Sequence, residues 1–214
     1  MSKLEIAVID YGLGNVRSII NAIKAIGAEA TLTGDSQKIL DAPACILPGV
    51  GAFGFGMQNL YEADLVPTIR RYAQSGKPLL GICLGMQLML EESEEFGTTQ
   101  GIGLVPGQVK ILTHGNQENP VKLPHVCWNE VSPPNVDRWQ STPMANTGEN
   151  ENFYFVHSYA AFPARQSDIL STTNYSGIEF CSAINRDNVT GLQFHPEKSG
   201  PAGLNILRKF VDEC

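Results

Sequence analysis

The sequence predicts an α/β fold: an open, mostly parallel sheet with helices on both faces and a smaller antiparallel extension. Three observations carry that reading. Short continuous apolar runs alternate with helical periodicity through the first half of the chain, the pattern of a parallel sheet covered on both faces. Those early runs end in glycine-containing turns: Asp10-Tyr11-Gly12-Leu13-Gly14, Pro48-Gly49-Val50-Gly51 and Gly81-Ile82-Cys83-Leu84-Gly85. The second half is richer in strand-like stretches.

Residues 4–9 form the first apolar strand. Within 16–26, Val16, Ile19, Ile20, Ile23 and Ile26 recur at helical spacing, and Gly27 supplies a stop. Cys45–Leu47 is a buried strand that breaks at Pro48. A helical pattern then runs to about Ala73, with Leu60, Leu65, Ile69 and Tyr72 on its apolar face. Lys77-Pro78 opens the strand 79–83, and 86–95 reads as the helix that follows. Later strands fall at 108–112, 125–131, 153–158, 169–174, 179–185 and 190–194, with a last helix from about Ala202 to Val211. The polar, proline-containing stretch 132–152 reads as an insertion within a single domain covering 1–214.

With 43% hydrophobic and 17% charged residues, the 214-residue chain can bury a sizeable core. A charged share below the usual ~25% fits a partner-covered surface or a neutral polar one equally. Fifteen Lys and Arg against 22 Asp and Glu leave a net charge of −7, which argues against nucleic acid or an anionic membrane as partner. Purely apolar stretches such as 6–9 fall far short of the ~18 residues of a membrane span. The N-terminal segment reaches Asp10 after four apolar residues, so no signal peptide is expected. Cys45, Cys83, Cys127, Cys181 and Cys214 form an odd set without a C-x-x-C pair. His114, His125, His157 and His195 show no helical ligand spacing, so no disulfide framework, metal or cofactor is expected, and the cytoplasm is the expected compartment.

Gly81-Ile82-Cys83-Leu84-Gly85 carries the most chemistry. With a strand before it and a helical run after it, it has the layout of a nucleophile elbow, cysteine standing for serine. Such a turn strains the nucleophile's backbone and needs tiny flanking residues. The helix N-terminus favours thiolate, and the next backbone N–H aims at an oxyanion. The competing reading is a buried cysteine beside glycines that permit close packing. A thiol needs a base, and His195-Pro196-Glu197 follows a predicted strand, so His195 reaches the sheet edge where Cys83 sits. Glu197 is placed to orient the imidazole. The Pro48–Gly51 loop ends another strand at that edge, and its backbone can complement the Leu84 N–H; alone it is an ordinary turn. Gly12-Leu13-Gly14 lacks the third glycine of a dinucleotide fingerprint, Arg17 standing there, and reads as a structural turn. Trp128 and Trp139 read as packing residues.

Together these residues resemble the class I (triad) glutamine amidotransferases, and within them the glutaminase subunits of imidazole glycerol phosphate synthases. The resemblance runs nearly end to end. Its landmarks include C-L-G-M-Q at 83–87, P-H-V-C-W-N at 124–129, Y-F-V-H-S-Y at 154–159 and Q-F-H-P-E-K-S at 193–199. It implies the amidotransferase fold and hydrolysis of glutamine to glutamate and ammonia by Cys83, His195 and Glu197 through a thioester. It implies an oxyanion hole at Val50, Gly51 and Leu84, and a glutamine pocket at Gly51, Gln87, Glu95, His157, Ser158 and Tyr159. It further implies a (β/α)8-barrel cyclase partner that receives the ammonia in histidine biosynthesis, met by Asn15, Ser18, Trp128, Tyr154 and Lys198. A resting peptide at Val50 that points its carbonyl into the hole is implied as well. Where this family carries glycine, Cys127 stands, beside Trp128, and is expected to bear on interface fit. Related subunits that supply ammonia to a sugar-amidating synthase share these residues. Cysteine peptidases and thioesterases of the same fold place histidine after the nucleophile, where this chain has Leu84. The vitamin B6 glutaminase carries G-G-E-S where this chain has Pro48–Gly51. A non-catalytic subunit would not need Cys83, His195 and Glu197 together.

Overall fold

The computed structural model describes residues 5–113, 121–148 and 151–213; Leu4, His114 and Cys214 lie outside them. In chain order the first elements are β1 (Glu5–Ile9), α1 (Val16–Ala25), β2 (Glu29–Thr33), α2 (Ser36–Asp41), β3 (Cys45–Leu47), α3 (Phe53–Glu62) and α4 (Val66–Gln74). Next come β4 (Leu79–Ile82), α5 (Leu84–Leu88), β5 (Leu90–Ser93), β6 (Thr99–Gln100), β7 (Val105–Ile111), β8 (His125–Glu130) and β9 (Asn152–His157). Last are β10 (Tyr159–Pro163), β11 (Ile169–Tyr175), β12 (Ile178–Arg186), β13 (Val189–Leu192) and α6 (Gly200–Asp212).

The main sheet has the order β2-β1-β3-β4-β13-β12-β10-β7-β5-β6, with β11 paired to β12. From β2 to β13 every pairing is parallel. At β12 the direction reverses, and β10, β11 and β7 continue as the antiparallel extension. Strands β8 and β9 form a separate antiparallel ribbon. One face of the sheet is covered by α1 and α6 together with Phe153 and Phe155 of that ribbon. The other is covered by α2, α3, α4 and α5, whose Ile39, Phe53, Leu60, Ile69, Tyr72 and Leu88 are all buried. Because β3, β4 and β13 run the same way, their C-terminal ends bring Pro48, Cys83 and Gln193 to one edge.

Two helical expectations are corrected. The pattern expected to run to about Ala73 is two helices, broken at Asp64, whose φ is 52°, and restarted with Pro67 in the first turn of α4. The expected helix 86–95 ends after Leu88 and becomes β5. Met86, Leu88, Met89 and Leu90 are all fully buried, so no amphipathic period marks the change. The carbonyls of Leu88, Met89 and Leu90 instead accept from the N–H groups of Ile102 (2.8 Å), Leu104 (2.8 Å) and Gly103 (3.0 Å). The stretch expected as an insertion is fastened to the sheet. Ser132 and Thr172 exchange two backbone bonds of 2.9 Å, and the buried Trp139 donates from Nε1 to the Leu170 carbonyl (3.0 Å) and Ser171 Oγ (2.8 Å).

Candidate active site

Cys83 occupies the sharp turn between β4 and α5, with φ 54° and ψ −112°. A non-glycine residue there costs about 1–3 kcal/mol and persists only where its surroundings enforce it. They do: its N–H donates to the Leu192 carbonyl at 2.7 Å, and its carbonyl accepts from the Gln87 N–H at 3.2 Å. Gly85 is required by space, since a Cβ there would lie 1.9 Å from the Leu47 carbonyl oxygen. The first N–H groups of α5 have no preceding helical carbonyl, which leaves the Leu84 amide available at the nucleophile.

His195 follows β13 and is held through its backbone. Its N–H donates to the Tyr154 carbonyl (2.9 Å), while Ser199 Oγ donates to its carbonyl (2.7 Å) and accepts from the Tyr154 N–H (3.0 Å). The ring Nδ1 lies 2.8 Å from Glu197 Oε1, with the two side chains only 2% and 0% exposed. Burial disfavours the imidazolium, but Cys83 and Glu197 outweigh it and raise His195 to about 9. A carboxylate on Nδ1 fixes the proton there and turns Nε2 to the reacting side. Nε2 has no well-formed hydrogen bond among the described residues, and such contacts commonly tighten only when substrate binds.

Cys83 and His195 open onto a cleft of about 250 Å³ shared with Val50, Gly51, Leu84, Gln87, Glu95, Val156, His157, Ser158 and Tyr159. The structure thus brings together every residue expected in the triad, oxyanion hole and glutamine pocket except Glu197, which stands behind His195. Gln87 donates from Nε2 to the Tyr159 carbonyl (2.8 Å) and to Gln193 Oε1 (2.9 Å). Glu95 Oε2 accepts from the Phe53 N–H at the start of α3 (2.6 Å) while facing the cleft. Burial raises the Tyr159 phenol, and the carboxylates of Glu95 and Glu94 add to the shift. A larger hollow of about 440 Å³ lies against β1, β2 and α2, but it holds no member of the triad.

Three contacts in and behind the site were not legible in the sequence. Gln193 Nε2 lies 3.8 Å from Cys83 Sγ, the buried Tyr11 donates to the Pro48 carbonyl (2.6 Å), and His125 Nδ1 lies 3.0 Å from His157 Nε2. Tyr11 and Pro48 sit in the glycine-containing turns and the others in the landmark segments, but the contacts cross 32 to 110 residues, which no local spacing encodes.

The residues expected to meet a partner cluster in part. Trp128 is 54% exposed, its ring edge-on to Tyr154 with centroids 6.2 Å apart, and Lys198 Nζ lies 5.6 Å above the Tyr154 ring. Asn15 Oδ1 accepts from Ser18 Oγ (3.0 Å) at the start of α1. Cys127 does not share the face of Trp128. Alternation along β8 turns it inward with His125 and Asn129, while Val126, Trp128 and Glu130 face out.

The family described as glutamine amidotransferase class-I matches residues 7–214. The chain belongs to that family. Among class I glutamine amidotransferases it is similar to the "Imidazole glycerol phosphate synthase subunit HisH" of Geobacter sulfurreducens, 44% identical over 96% of this chain and 97% of that one. It is 45% identical to the protein of the same name from Methanothermobacter thermautotrophicus, over 97% and 98% of the two chains. The solved structure of PurLQS from Thermotoga maritima shares the fold, with a TM-score of 0.72 at 22% identity over 98% of each chain. The strand–turn–helix around Cys83 is part of the parallel sheet, and His195 arrives just past the end of the adjacent strand β13.

Proposed function

We propose that this chain is the glutaminase subunit of an imidazole glycerol phosphate synthase, releasing ammonia from glutamine for a (β/α)8-barrel cyclase in histidine biosynthesis. The observation that carries it is the convergence of Cys83, the Glu197-held His195 and the 250 Å³ cleft at one sheet edge, in a chain 41–45% identical to HisH subunits. The reading treats the chain as one amidotransferase domain and places it in the cytoplasm; among the described residues no helix is long and apolar enough to cross a membrane.

Glutamine enters with its side-chain amide over Cys83. Glu95 suits its α-ammonium group, and the backbone amides at Ser158 and Tyr159 suit its carboxylate. The thiol proton rests on His195 Nε2 before sulfur attacks the amide carbon. The resulting oxyanion is met by the Leu84 N–H and by a second amide of the Val50–Gly51 peptides. His195 then gives its proton to the departing nitrogen, the C–N bond breaks, and ammonia leaves a γ-glutamyl thioester on Cys83. Water, deprotonated by His195, cleaves the thioester to glutamate and the free thiol. With its pKa raised to about 9, His195 is cationic at neutral pH, matched to donating that proton. Trp128, Tyr154 and Lys198, with Asn15 and Ser18, form the face that docks on the cyclase, and the Val50 peptide turns its N–H inward when cyclase and acceptor are bound.

The test is glutamate release from glutamine by the chain alone, with the host's histidine-pathway cyclase, and with cyclase plus its nucleotide acceptor. Strong stimulation that vanishes in Cys83→Ala is the expected result. Activity that survives Cys83→Ala overturns the triad. Cys83 alkylation by a glutamine-like electrophile without cyclase stimulation would instead favour a sugar-amidating partner.

A further inference from the structure

His157 lines the cleft, yet the mechanism uses neither it nor the second buried histidine behind it. Their hydrogen bonds leave one consistent arrangement of protons. The Tyr159 carbonyl can only accept, so His157 Nδ1, 2.8 Å away, carries the hydrogen. Burial lowers His157 to about 3 and His125 to about 4, so both rings are neutral near pH 7. His157 Nε2 is therefore a lone pair, and His125 Nδ1, 3.0 Å from it, must be the donor. That leaves His125 Nε2 as an acceptor. Cys127 Sγ stands 3.1 Å from it, so the thiol donates. Asn129 agrees independently: its Nδ2 is fixed as the nitrogen by donating to the Asn174 carbonyl (2.9 Å), and that same Nδ2 lies 3.5 Å from His125 Nε2. The rings are clamped as well, His125 stacking between Phe155 (centroids 4.9 Å apart) and Tyr175 (4.0 Å).

The directed chain thus runs from Cys127 through His125 and His157 to the carbonyl of Tyr159, which Gln87 also holds. Both donors converge on the carbonyl of the Tyr159–Ala160 peptide, one residue past Ser158, at the wall of the cleft assigned to the substrate carboxylate. We propose that His125 is a positioning residue for glutamine: by donating from Nδ1 it locks His157 in the Nδ1–H tautomer, which holds the backbone of Tyr159, and with it the adjoining Ser158, in place for the substrate. Its link to glutamine rests on the glutaminase reading; the proton arrangement does not.

The experiment uses the full chain with ¹⁵N-labelled histidine, in which two-bond nitrogen–proton correlations report each ring's tautomer. Only four histidines are present, which keeps assignment simple. His125 and His157 are both expected as Nδ1–H. His125→Phe keeps the stacking but removes the donor, whereas His125→Asn removes the ring but keeps an N–H near the Nδ1 position. In the cyclase-stimulated reaction His125→Phe should raise KM for glutamine about 3- to 10-fold, the range of one neutral hydrogen bond, with kcat within about 2-fold. His125→Asn should return KM to within about 2-fold of the parent. An Nε2–H tautomer for His157 in the unaltered chain overturns the proposal, as does a parental KM in a folded His125→Phe protein. If His125→Phe does not fold, the tautomers of the unaltered chain and the KM of His125→Asn decide. Glutamate release absent under every condition, with both rings still Nδ1–H, overturns the glutaminase reading and leaves the proton chain standing.

Discussion

Replacing Gly49 by alanine tests whether the Pro48–Gly51 loop shapes the oxyanion hole. A Cβ at Gly49 would lie 2.6 Å from Tyr11 Oη, 2.8 Å from Leu84 Cβ and 2.9 Å from the Gly85 nitrogen. Ordinary contact begins near 3.4 Å, so one side must retreat by about 0.8 Å. Tyr11 cannot easily do so, being 4% exposed and bonded to the Pro48 carbonyl at 2.6 Å. Leu84 and Gly85 belong to the first turn of α5, pinned against Leu47. The loop therefore moves, and it moves away from the Leu84 amide with which Val50 and Gly51 are proposed to share the oxyanion. Overpacking of this kind costs about 1–3 kcal/mol of stability. Loss of one oxyanion donor costs roughly 10²- to 10³-fold in kcat. Gly49→Ala is expected to lose about 100-fold in cyclase-stimulated kcat, with KM for glutamine within about 3-fold because the proposed carboxylate site lies at Ser158. Gly54→Ala is the companion: only Thr99 Oγ1 stands near its Cβ, at 3.5 Å in helix α3, so it should stabilise by about 0.4–1 kcal/mol and leave kcat unchanged. Thermal unfolding and glutamate release, measured on both variants, suffice. A folded Gly49→Ala protein with kcat near that of the parent would refute the steric argument and the loop's role together.

Glu197→Gln removes an anion that favours the His195 cation, so the alkaline limb of cyclase-stimulated kcat, expected near pH 9, should move to lower pH; a pH–rate profile checks the direction. Glu95→Gln should raise KM for glutamine by roughly 10-fold or more, as expected for losing a hydrogen-bonded charge at the α-ammonium, and initial rates over a glutamine series measure it. Trp139→Phe strips the donor that serves Leu170 and Ser171, and should cost about 1–3 kcal/mol in urea unfolding with parental kcat, since Trp139 lines no part of the cleft.

What could be read in advance follows from where the information lies. The strands β1, β3 and β4 and helix α1 were legible because apolar period and glycine punctuation coincide there. The elbow at Cys83 was legible because strain, small flanks and a following helix leave a local signature. Strand β2 and helix α2 were not: β2 is an edge strand whose Ala30 is only half-buried and whose Thr31 and Leu32 are exposed, and the Asp35 cap that begins α2 is a single residue. Strand β10 follows β9 after only Ser158, so the passage from the ribbon to the main sheet falls inside one continuous strand-like stretch. In the site, Cys83 and His195 were readable because each follows a strand, and Glu197 because it stands two residues past His195, whereas the Cys127–His125–His157 chain is a product of β8–β9 register. His125 pairs with His157 and Cys127 with Phe155 across that ribbon, and no spacing within either strand announces it.

The alternation of β8 has a consequence for how such a protein can diversify. Its outward row, Val126, Trp128 and Glu130, and its inward row, His125, Cys127 and Asn129, share one backbone but no contacts of the same kind. Substitutions in the outward row can retarget the proposed docking face while the proposed inward proton order stays intact, and changes at Cys127 can retune the interior without altering that outward face. A strand that separates the two tasks by parity allows a docking specificity to be exchanged by grafting alternate residues, without transplanting the whole ribbon.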